Sequence, residues 1–408
     1  MKIHFIGIGG IGTSALAQYY LAKGHDVSGS DLVISEITDM VAKKGVKIFK
    51  GNSASNISED INLVVHSPAV GVTNPEYKAA KDFGIKMQSY PEALGDLTKE
   101  YYTIAISGSH GKSTTTTMIA LMMERAGLDP TVIVGTKVKE FGDSNFREGK
   151  SKYLVIEACE YDSSFLHYAP SIIVITNVDK EHLDYFKTFE NVKKAFKDFA
   201  DKLPLDGHLI ENTPINLKIR NLLQVPGEHN ELNASQAFKV GRILDIDEKV
   251  ILESLSEFKG TWRRFEVKQG FVGQKEIIVV SDYGHHPNEV AATLKAAREK
   301  YGAKKIWCVF QPHQYQRIYY LFDDFVKTFK DAKIDKIIIT DIYDVAGREV
   351  KEISQDVSSK KIVDRVAKDS VIYLELKNIA EHLKQNMQTG DVLLIMGAGD
   401  IYKLVDEF

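Results

Sequence analysis

The chain has 408 residues, a formal net charge of −4 and 44% hydrophobic residues. This size predicts two to three domains with ordinary buried cores, and the mild, dispersed charge argues against a nucleic-acid-binding surface. An acidic small molecule would therefore be held by local sites rather than by an overall positive field.

Two cysteines, Cys159 and Cys308, exclude a disulfide framework and fit buried thiols in a reducing compartment. The amino-terminal residues lack the apolar core and cleavage site of a secretory signal. No stretch reaches the roughly 18 apolar residues that a membrane-spanning helix needs. We therefore expect a soluble, cytoplasmic protein without membrane insertion.

Short apolar runs alternate with helix-period segments along the chain. The first strand-like runs are KIHFIG, DVSGS, VKIFK and NLVVHS, with helices predicted at 11–23 and 35–44. A second set is YYTIAISG (101–108), KYLVIEA (152–158) and SIIVITN (171–177). A third set is EIIVVSD (276–282), KKIWCVF (304–310), DKIIITD (335–341) and DVLLIMG (391–397). The alternation predicts an α/β fold with parallel sheets, in three domains spanning 1–98, 99–258 and 259–408.

The first glycine loop, GIGGIG, follows a predicted strand and precedes a helix. Its glycines would let the backbone approach a pyrophosphate, with N–H donors from the start of the helix. Asp31 follows about 20 residues later, where an acidic residue often binds a ribose hydroxyl. The loop does not distinguish NAD, FAD and UDP, and tight helix–strand packing without a ligand is the alternative. The candidate substrate-binding residues of this domain are Gly9, Gly10, Ile11, Gly12, Asp31 and Ser67.

A second glycine loop, ISGSHGKSTTTTM (106–118), also lies between a strand and a helix. Lys112 would reach the terminal phosphates of ATP, and the Ser113 hydroxyl suits Mg²⁺. The full Walker spacing has glycine where this chain has Ile106, so the loop is a shortened Gly-x-x-Gly-Lys-Ser. An ATP site here argues against NAD in the first domain, because a dehydrogenase has no use for such a loop. The candidate ATP-binding residues are Gly108, Ser109, His110, Gly111, Lys112, Ser113 and Thr114.

Further motifs follow these loops, and the whole series resembles the Mur ligase family, which builds the peptide of bacterial cell-wall precursors. They are VIEACEYDSSFL (155–166), TNVDKEHLDYF (176–186), PGEHNELNA (226–234), WRRFE (262–266), DYGHHPNE (282–289), FQPHQYQR (310–317) and GAGDI (397–401). GIGGIG resembles the family's UDP loop and SGSHGKSTTTT its ATP loop. The resemblance implies a Rossmann-like UDP-substrate domain, a P-loop ATPase-like central domain with a parallel sheet and a Rossmann-like carboxy-terminal domain.

The resemblance also implies the remaining site residues. The implied catalytic residues are Lys112, Glu157, His182, His285 and Arg317. The implied metal ligands, for two Mg²⁺ ions, are Ser113, Glu157 and His182. The further ATP-binding residues are His229, Asn230, Arg264 and Asp282, and the further substrate-binding residues are His286, His313, Tyr315 and Arg317. A structural role for His182, and a helix N-cap role for Asn230, are the alternatives.

The implied reaction is the ATP-dependent joining of L-alanine to the lactyl carboxylate of UDP-N-acetylmuramate, through an acyl phosphate, with ADP and phosphate as products. Mg²⁺ and Lys112 would neutralise the repulsion between ATP and the carboxylate. We expect a monomer or weak homodimer in the bacterial cytoplasm. The alternatives are a ligase that attaches a whole tripeptide to the same sugar nucleotide, an NAD-dependent oxidoreductase, and a nucleotide-gated binding protein with slow ATPase activity.

The sequence departs from the family pattern in two ways. Residues that differ from the family's usual Asp or Arg are Cys159, Glu181, Ser281 and Gln314. The segment between Gly207 and Gly227 is short, whereas relatives carry a longer β-rich insert there. We therefore expect the central domain to lack a small accessory sheet.

Overall fold

Three sheets organise the computed structural model of the chain, which describes residues 1–344, 353 and 355–408. The chain forms two compact units. Met1–Leu222 with Leu232–Glu257 contains the first two sheets, and Leu223–Glu231 with Phe258–Phe408 contains the third. The predicted α/β class is confirmed, while the domain boundaries at residues 98 and 258 stay predictions.

The first sheet has five parallel strands in the order β3-β2-β1-β4-β5. The strands are β1 (Lys2–Ile6), β2 (Asp26–Asp31), β3 (Lys47–Lys50), β4 (Leu63–His66) and β5 (Lys86–Ser89). The helices are α1 (Ile11–Ala22), α2 (Glu36–Lys43), α3 (Pro75–Asp82) and α4 (Tyr90–Thr98). This is the Rossmann order, in which ligands bind beyond the carboxyl ends of β1 and β4, where the strand order reverses.

The second sheet has six strands in the order β11-β10-β6-β9-β7-β8, parallel except for β8 against β7. The strands are β6 (Tyr102–Ser107), β7 (Thr131–Val138), β8 (Ser144–Arg147), β9 (Tyr153–Glu157), β10 (Ile172–Ile175) and β11 (His208–Ile210). The helices are α5 (Lys112–Arg125), α6 (Leu183–Phe186), α7 (Phe189–Ala200), α8 (Glu228–Ile243) and α9 (Glu248–Ser256). Residues 211–227, all of them described, contain neither helix nor strand, so no accessory sheet forms there.

The third sheet has the order β12-β13-β17-β14-β15-β16, parallel except for β12 against β13. The strands are β12 (Glu266–Val272), β13 (Lys275–Asp282), β14 (Ile306–Phe310), β15 (Lys336–Ile339), β16 (Val371–Tyr373) and β17 (Val392–Met396). The helices are α10 (Pro287–Tyr301), α11 (Tyr315–Tyr320), α12 (Phe322–Asp331), α13 (Ser359–Val366) and α14 (Leu376–Asn386).

The apolar residues are concentrated in the inner strands. Every residue of β10 (IIVI), β14 (IWCVF) and β17 (VLLIM) is buried, as expected of parallel strands covered on both faces. Cys308 lies in β14 and is buried as predicted, whereas the prediction for Cys159 was wrong because it is exposed. Within the described ranges, no helix is both long and apolar enough to cross a bilayer.

Among the described residues, the helices after the two glycine loops begin without a side-chain cap, unlike α2, α3 and α4 of the first sheet. Ser35 and Ser89 form capping boxes at α2 and α4, and Asn74 caps α3. The described parts of the chain give α1 and α5 no side-chain cap, because these helices follow Gly10 and Gly111. Uncapped first-turn N–H groups and the helix dipole favour an anion at these two positions.

A buried carboxylate, Glu76, supports the first sheet. It accepts hydrogen bonds from Ser30 Oγ, from Asn56 Nδ2 at 2.5 Å and from the Ser53 N–H at 3.2 Å. His4 Nε2 lies 3.6 Å from Glu76 Oε2. Burial by itself raises the pKa of this carboxyl, but the nearby His4 and the hydrogen bonds from Ser30 and Asn56 outweigh it and leave the pKa below 4.5.

We expect Glu76 to make folding stability depend on pH in acid. Because its pKa is lower in the folded state, its contribution is present above the unfolded value of 4.5 and is lost as pH falls through the folded pKa. Because the amide group of the glutamine would face hydrogen-bond donors, Glu76→Gln should lower the free energy of unfolding by about 1–3 kcal/mol at neutral pH. It should also flatten the acid part of a plot of Tm against pH. The exposed pair of Asp60 with Lys2 offers a control, and Asp60→Asn should leave the profile nearly unchanged. Parallel acid slopes for Glu76→Gln and the parent chain would contradict the prediction.

Candidate active site

The first glycine loop joins β1 to α1 at the carboxyl edge of the first sheet. The N–H groups of Gly7 and Ile8 both donate to Ser30 O, at 2.9 and 3.0 Å. A Cβ on Gly7 would lie 3.0 Å from the Cβ of Ser67, which follows β4. The loop therefore folds tightly across the strand ends, and the structure brings the predicted residues Gly9, Gly10, Ile11 and Ser67 to one edge of the sheet.

Asp31 ends β2 and holds this loop in shape. Its Oδ2 accepts the N–H of Gly9 at 2.8 Å, and its Oδ1 accepts the N–H of Val33 at 3.1 Å. The spacing predicted Asp31 as a ligand contact, and the structure gives it a second role as an acceptor within the loop. While the hydrogen bond to Asp31 is present, the Gly9 N–H is not available to bind a phosphate.

Gly12 is the last glycine of the motif, and its neighbour is a side chain. A Cβ on Gly12 would lie 2.7 Å from the hydroxyl oxygen of Tyr90 on α4. Burial raises the pKa of Tyr90 well above its usual value. Close packing of α1 against α4 therefore accounts for this glycine, so the packing alternative applies at Gly12.

The second glycine loop joins β6 to α5 in a conformation that needs glycine. Gly108 has φ +131° and Gly111 has φ +85°, in the region that side chains avoid. A Cβ on Gly108 would lie 2.0 Å from Thr176 Oγ1, and one on Gly111 would lie 2.4 Å from Asn233 Oδ1. The loop backbone therefore lies directly against its neighbours at both glycines.

The segment after β10 fixes this loop from outside. Asn177 Oδ1 accepts the His110 N–H at 2.9 Å, and Asn177 Nδ2 donates to His110 O at 2.9 Å. The Ser109 N–H donates to Asn177 O at 3.0 Å, and the Asp179 N–H donates to Ser109 Oγ at 2.8 Å. Thr176 Oγ1 donates to His110 O at 2.5 Å. These protein contacts preorganise the loop without any ligand.

Lys112 begins α5 and pairs with the buried Glu160. Its Nζ lies 3.0 Å from Glu160 Oε2 and also donates to the carbonyl oxygens of Gly108 and Ser109. The side chains are 14% and 1% exposed, respectively. Burial lowers the pKa of Lys112, but the charge of Glu160 leads the opposing contributions, and the pKa ends above its usual value. Lys112 is therefore a fixed cation.

Ser113 and Glu157 meet beside this cation. Ser113 Oγ donates to Glu157 Oε2 at 2.8 Å, and the same oxygen accepts the Gly135 N–H at 2.9 Å. Glu157 is the last residue of β9, which pairs with β6. A hydroxyl and a carboxylate oxygen are hard ligands of the kind that Mg²⁺ prefers. The donor set therefore fits a magnesium ion.

His182 belongs to a neighbouring cluster around Glu160. Its Nε2 lies 3.8 Å from Glu160 Oε1 and 3.9 Å from Glu181 Oε2. Its ring packs edge-on against Tyr161, with centroids 4.8 Å apart. Lys112 and His182 thus share one buried carboxylate, which the sequence motifs did not assign.

In the second unit, Asp282 ends β13 and organises the DYGHHP loop. Its Oδ2 accepts the Phe265 N–H at 2.8 Å, and its Oδ1 accepts the Gly284 N–H at 2.8 Å and the Thr293 hydroxyl at 3.3 Å. Burial raises the pKa of Asp282, against the opposing charge of Arg264. Both carboxylate oxygens are therefore engaged within the unit.

Glu289 gathers three of the predicted residues of this unit. Its Oε2 accepts the N–H groups of His285 and His286 at 3.0 and 3.2 Å. Its Oε1 lies 3.9 Å from the guanidinium of Arg264, which also lies over the Tyr283 ring. Glu289 thus holds the histidine loop and faces Arg264.

His313 and Arg317 form a group with His285. Arg317 Nη1 lies 3.1 Å from His313 Nδ1. The His313 ring stacks on Tyr343 with centroids 5.6 Å apart and meets the His285 ring edge-on at 5.7 Å. Tyr315, predicted with them, packs instead against the hydrophobic core of the third sheet.

Asn230 lies inside α8 rather than at its cap. The helix begins at Glu228, and Asn230 Nδ2 donates to Pro226 O at 2.7 Å. The N-cap alternative is therefore wrong. A contact of Asn230 with the ATP base, and the role of the adjacent His229, stay predictions.

The third glycine loop, GAGD, follows β17 and is filled by side chains. A Cβ on Gly399 would lie 2.4 Å from Gln311 Oε1 and 2.5 Å from Tyr343 Cγ. Arg263 is 5% exposed and donates to the carbonyls of Gly397 and Gly399. These glycines therefore allow close packing and leave no cradle for a phosphate.

Sequence reasoning missed the residues that hold the predicted ones in place. They are Glu160, Asn177, Glu289 and Arg263. Asn177 could have been found as a polar residue just after a buried strand, where α/β sheets place ligand-binding loops. Glu160 also follows a buried strand, but its pairing with Lys112, 48 residues away, is not a local signal.

A Rossmann-ordered sheet with an uncapped glycine loop, joined to a sheet with a fixed lysine–serine loop, defines a nucleotide-using α/β enzyme. Three family profiles match successive regions: "Mur ligase family, catalytic domain" at residues 2–102, "Mur ligase middle domain" at 106–277 and "Mur ligase, glutamate ligase domain" at 263–399. The chain belongs to the Mur ligase family.

Curated and structural relatives agree with this placement. The UDP-N-acetylmuramate–L-alanine ligase of Caldanaerobacter subterraneus subsp. tengcongensis is 40% identical over 457 aligned positions, covering 100% of this chain and 97% of the relative. The crystal structure of UDP-N-acetylmuramate-alanine ligase from Thermotoga maritima superposes with a TM-score of 0.83 at 27% identity, covering 100% of this chain and 98% of that one. A murein peptide ligase from Psychrobacter arcticus reaches 0.72 at 21% identity, with 100% and 98% coverage, and shows the shared fold alone. The family resemblance and the predicted fold are confirmed.

Proposed function

We propose that this chain is an ATP-dependent ligase that joins L-alanine to the lactyl carboxylate of UDP-N-acetylmuramate, giving ADP and phosphate. The observation that carries the proposal is the set of Lys112, Ser113 and Glu157 at the start of α5. The choice of substrates is supported by full-length similarity to a relative of that name.

ATP would bind with its terminal phosphates at the start of α5. The uncapped helix and the two glycines with positive φ present backbone N–H groups to phosphate oxygens. Lys112 would exchange its contacts with loop carbonyls for the terminal phosphates. We assign the rest of the ATP site to His229, Asn230, Arg264 and Asp282.

Ser113 and Glu157 would hold Mg²⁺, which when bound neutralises phosphate charge. Their oxygens already lie 2.8 Å apart, so little rearrangement of this chain is needed. A second Mg²⁺ at His182 stays a prediction, and carboxylate oxygens of Glu160 and Glu181 lie 3.8 and 3.9 Å from its Nε2.

The sugar nucleotide would bind at the first glycine loop. We assign its pyrophosphate to the start of α1, where Gly10 leaves the first turn without a side-chain cap in the described structure. Three apolar residues beside the loop, Leu32, Val33 and Ile34, are 67%, 65% and 42% exposed. We assign them to the uracil face, because an exposed apolar run is covered at low cost by a flat base.

In the reaction, the lactyl carboxylate attacks the γ-phosphate of ATP, an acyl phosphate forms and ADP leaves. The amine of L-alanine then attacks the acyl carbon, and phosphate leaves. Lys112 stabilises the charge that builds up on the transferring phosphoryl group, and the fixed loop holds it in line. We assign Arg264, His285, His313 and Arg317 to contacts with phosphate and with the carboxylate of the amino acid, as cationic or donor groups.

Product mass tests the proposal. Purified protein with ATP, Mg²⁺ and UDP-N-acetylmuramate should yield a product heavier by one alanyl residue only when L-alanine is added. Phosphate release that ignores L-alanine would contradict the assignment. A product formed only with the cell-wall tripeptide would indicate the recycling ligase, and tight saturable NADH binding would indicate the oxidoreductase.

We place this reaction in the bacterial cytoplasm, where ATP and the sugar nucleotide are both available. The monomer or weak homodimer predicted from the sequence remains a prediction, and sedimentation of the purified chain measures it.

A further inference from the structure

Asn145 on β8 connects the second sheet to the helix of the first glycine loop. It is fully buried, and its Nδ2 donates to Ile11 O and to Ser14 Oγ, the latter at 2.8 Å. Its Oδ1 accepts from Gln18 Nε2 at 2.7 Å. Ile11 is the first residue of α1 and directly follows Gly10. Asn145 therefore holds the turn of helix that carries the loop.

Gln18 extends this contact into a network. Its Nε2 also donates to Ser14 O at 3.2 Å, and its Oε1 accepts from Ser144 Oγ at 2.9 Å and from Lys44 Nζ at 2.5 Å. Every side-chain polar atom of Asn145 and Gln18 thus has a partner. Because an unpaired buried amide is costly, a fully paired network of this kind fixes one orientation of α1 on the β7–β8 hairpin.

The same hairpin also holds the carboxylate assigned to Mg²⁺. The pairing of β7 with β8 is irregular between Ile133 and Val138, and Gly135 lies within that irregular stretch. Its N–H donates to Glu157 Oε2 at 2.9 Å, and a Cβ there would lie 2.7 Å from the same oxygen. A local bulge of this kind redirects the backbone of a strand, here toward Glu157.

We infer that the β7–β8 hairpin is a positioning element that sets the sugar-nucleotide loop relative to Glu157, with Asn145 as its positioning residue. The inference rests on the proposed function, in which those two places bind the two reactants. A carboxylate and a phosphoryl group react only when held about 3–3.5 Å apart and in line, and a displacement of roughly 1 Å can cost about 100-fold in rate. One rigid element that contacts both places meets this requirement.

A second contact between α1 and the end of this hairpin supplies a control. Lys23 Nζ, just past the far end of α1, lies 3.7 Å from Glu148 Oε1, and the two side chains are 36% and 47% exposed. This pair joins the same two parts of the chain without touching the glycine loop. If these contacts served only to keep α1 against the hairpin, a contact at either end of α1 would have the same effect on activity.

The test compares Asn145→Asp, Gln18→Glu and Glu148→Gln in steady-state assays. Asn145→Asp keeps the size but turns a carboxylate oxygen toward Ile11 O. It should raise KM for UDP-N-acetylmuramate roughly tenfold and lower kcat roughly tenfold, with KM for ATP within about twofold of the parent. Gln18→Glu keeps the acceptor for Lys44 and Ser144, loses the donor to Asn145, and should shift the same constants in the same direction. Glu148→Gln should leave all three constants within about twofold.

Assays of the parent chain distinguish failure of the inference from failure of the proposed function. If the parent turns over UDP-N-acetylmuramate with L-alanine and both network variants match it, the inference is overturned while the proposed function stands. Equal increases in KM for ATP and for UDP-N-acetylmuramate would mean a general structural role and would also overturn the inference. If the parent itself does not turn over UDP-N-acetylmuramate, the proposed function and the inference fall together. If Asn145→Asp does not fold, Gln18→Glu decides.

Discussion

Lys112→Ala should lower kcat at least about 10³-fold while leaving the affinity for UDP-N-acetylmuramate unchanged. A cation that stabilises the transition state of phosphoryl transfer is worth about 10³–10⁵-fold in kcat, and the sugar nucleotide is assigned to another sheet. Turnover by quenched-flow and binding by calorimetry measure the two parts separately. Loss of both would mean that the two sites have been assigned wrongly.

The buried partner of Lys112 demands a stability control. Glu160 is 1% exposed, and removal of one member of a buried ion pair destabilises by about 3–5 kcal/mol. The double variant Lys112→Ala/Glu160→Gln should recover most of that stability in urea unfolding and none of the activity. If activity returns with stability, the lysine acts through folding rather than on the phosphates.

Gly108→Ala should weaken ATP binding, with an expected loss in affinity of at least about 100-fold. A methyl group at φ +131° would carry strain of about 1–3 kcal/mol and would also lie 2.0 Å from Thr176 Oγ1 and 3.0 Å from the Asn177 nitrogen. Thr176 is held by His110 O at 2.5 Å, so the neighbour yields only if the loop moves. Fluorescent-nucleotide titration measures the loss.

Gly127 offers the matched control after the other end of α5. It has φ +75°, and a Cβ there meets nothing within 4 Å. Gly127→Ala should therefore cost only about 1 kcal/mol of stability with ATP affinity unchanged. Equal ATP affinities for the two variants would show that the loop does not need its close approach to Thr176.

Much of the fold follows from local pattern. The predicted helices at 11–23 and 35–44 correspond to α1 (Ile11–Ala22) and α2 (Glu36–Lys43), because apolar spacing and a Ser35 cap are local signals. β8 was missed because SNFR is short and polar, and its strand pairing comes from β7 rather than from its own sequence. Strand order likewise depends on contacts that no local pattern contains.

The candidate site, like the fold, was predicted in part from the sequence. The glycine loops were predicted from spacing, since glycine and lysine positions follow from the backbone geometry that a phosphate needs. The residues that hold these loops in place were not predicted. Asp31 accepts a hydrogen bond from Gly9 and Tyr90 packs against Gly12, across 22 and 78 positions of the chain. Arg263 is buried against Tyr402 and Tyr283, which the WRRFE motif alone does not indicate. Which of two adjacent arginines is buried depends on the packing of distant rings.

The strand that leads into the ATP loop has a consequence for synthesis on the ribosome. β6 lies between β9 and β10, and both neighbours are later in the chain, so its two edges are completed only when Ile175 has emerged. Synthesis proceeds at roughly 5–20 residues per second, so the apolar strand YTIAIS has unpaired edges for several seconds. Unpaired strand edges can pair with other chains. Aggregation of the nascent chain during this interval is therefore a hazard that the finished fold no longer carries.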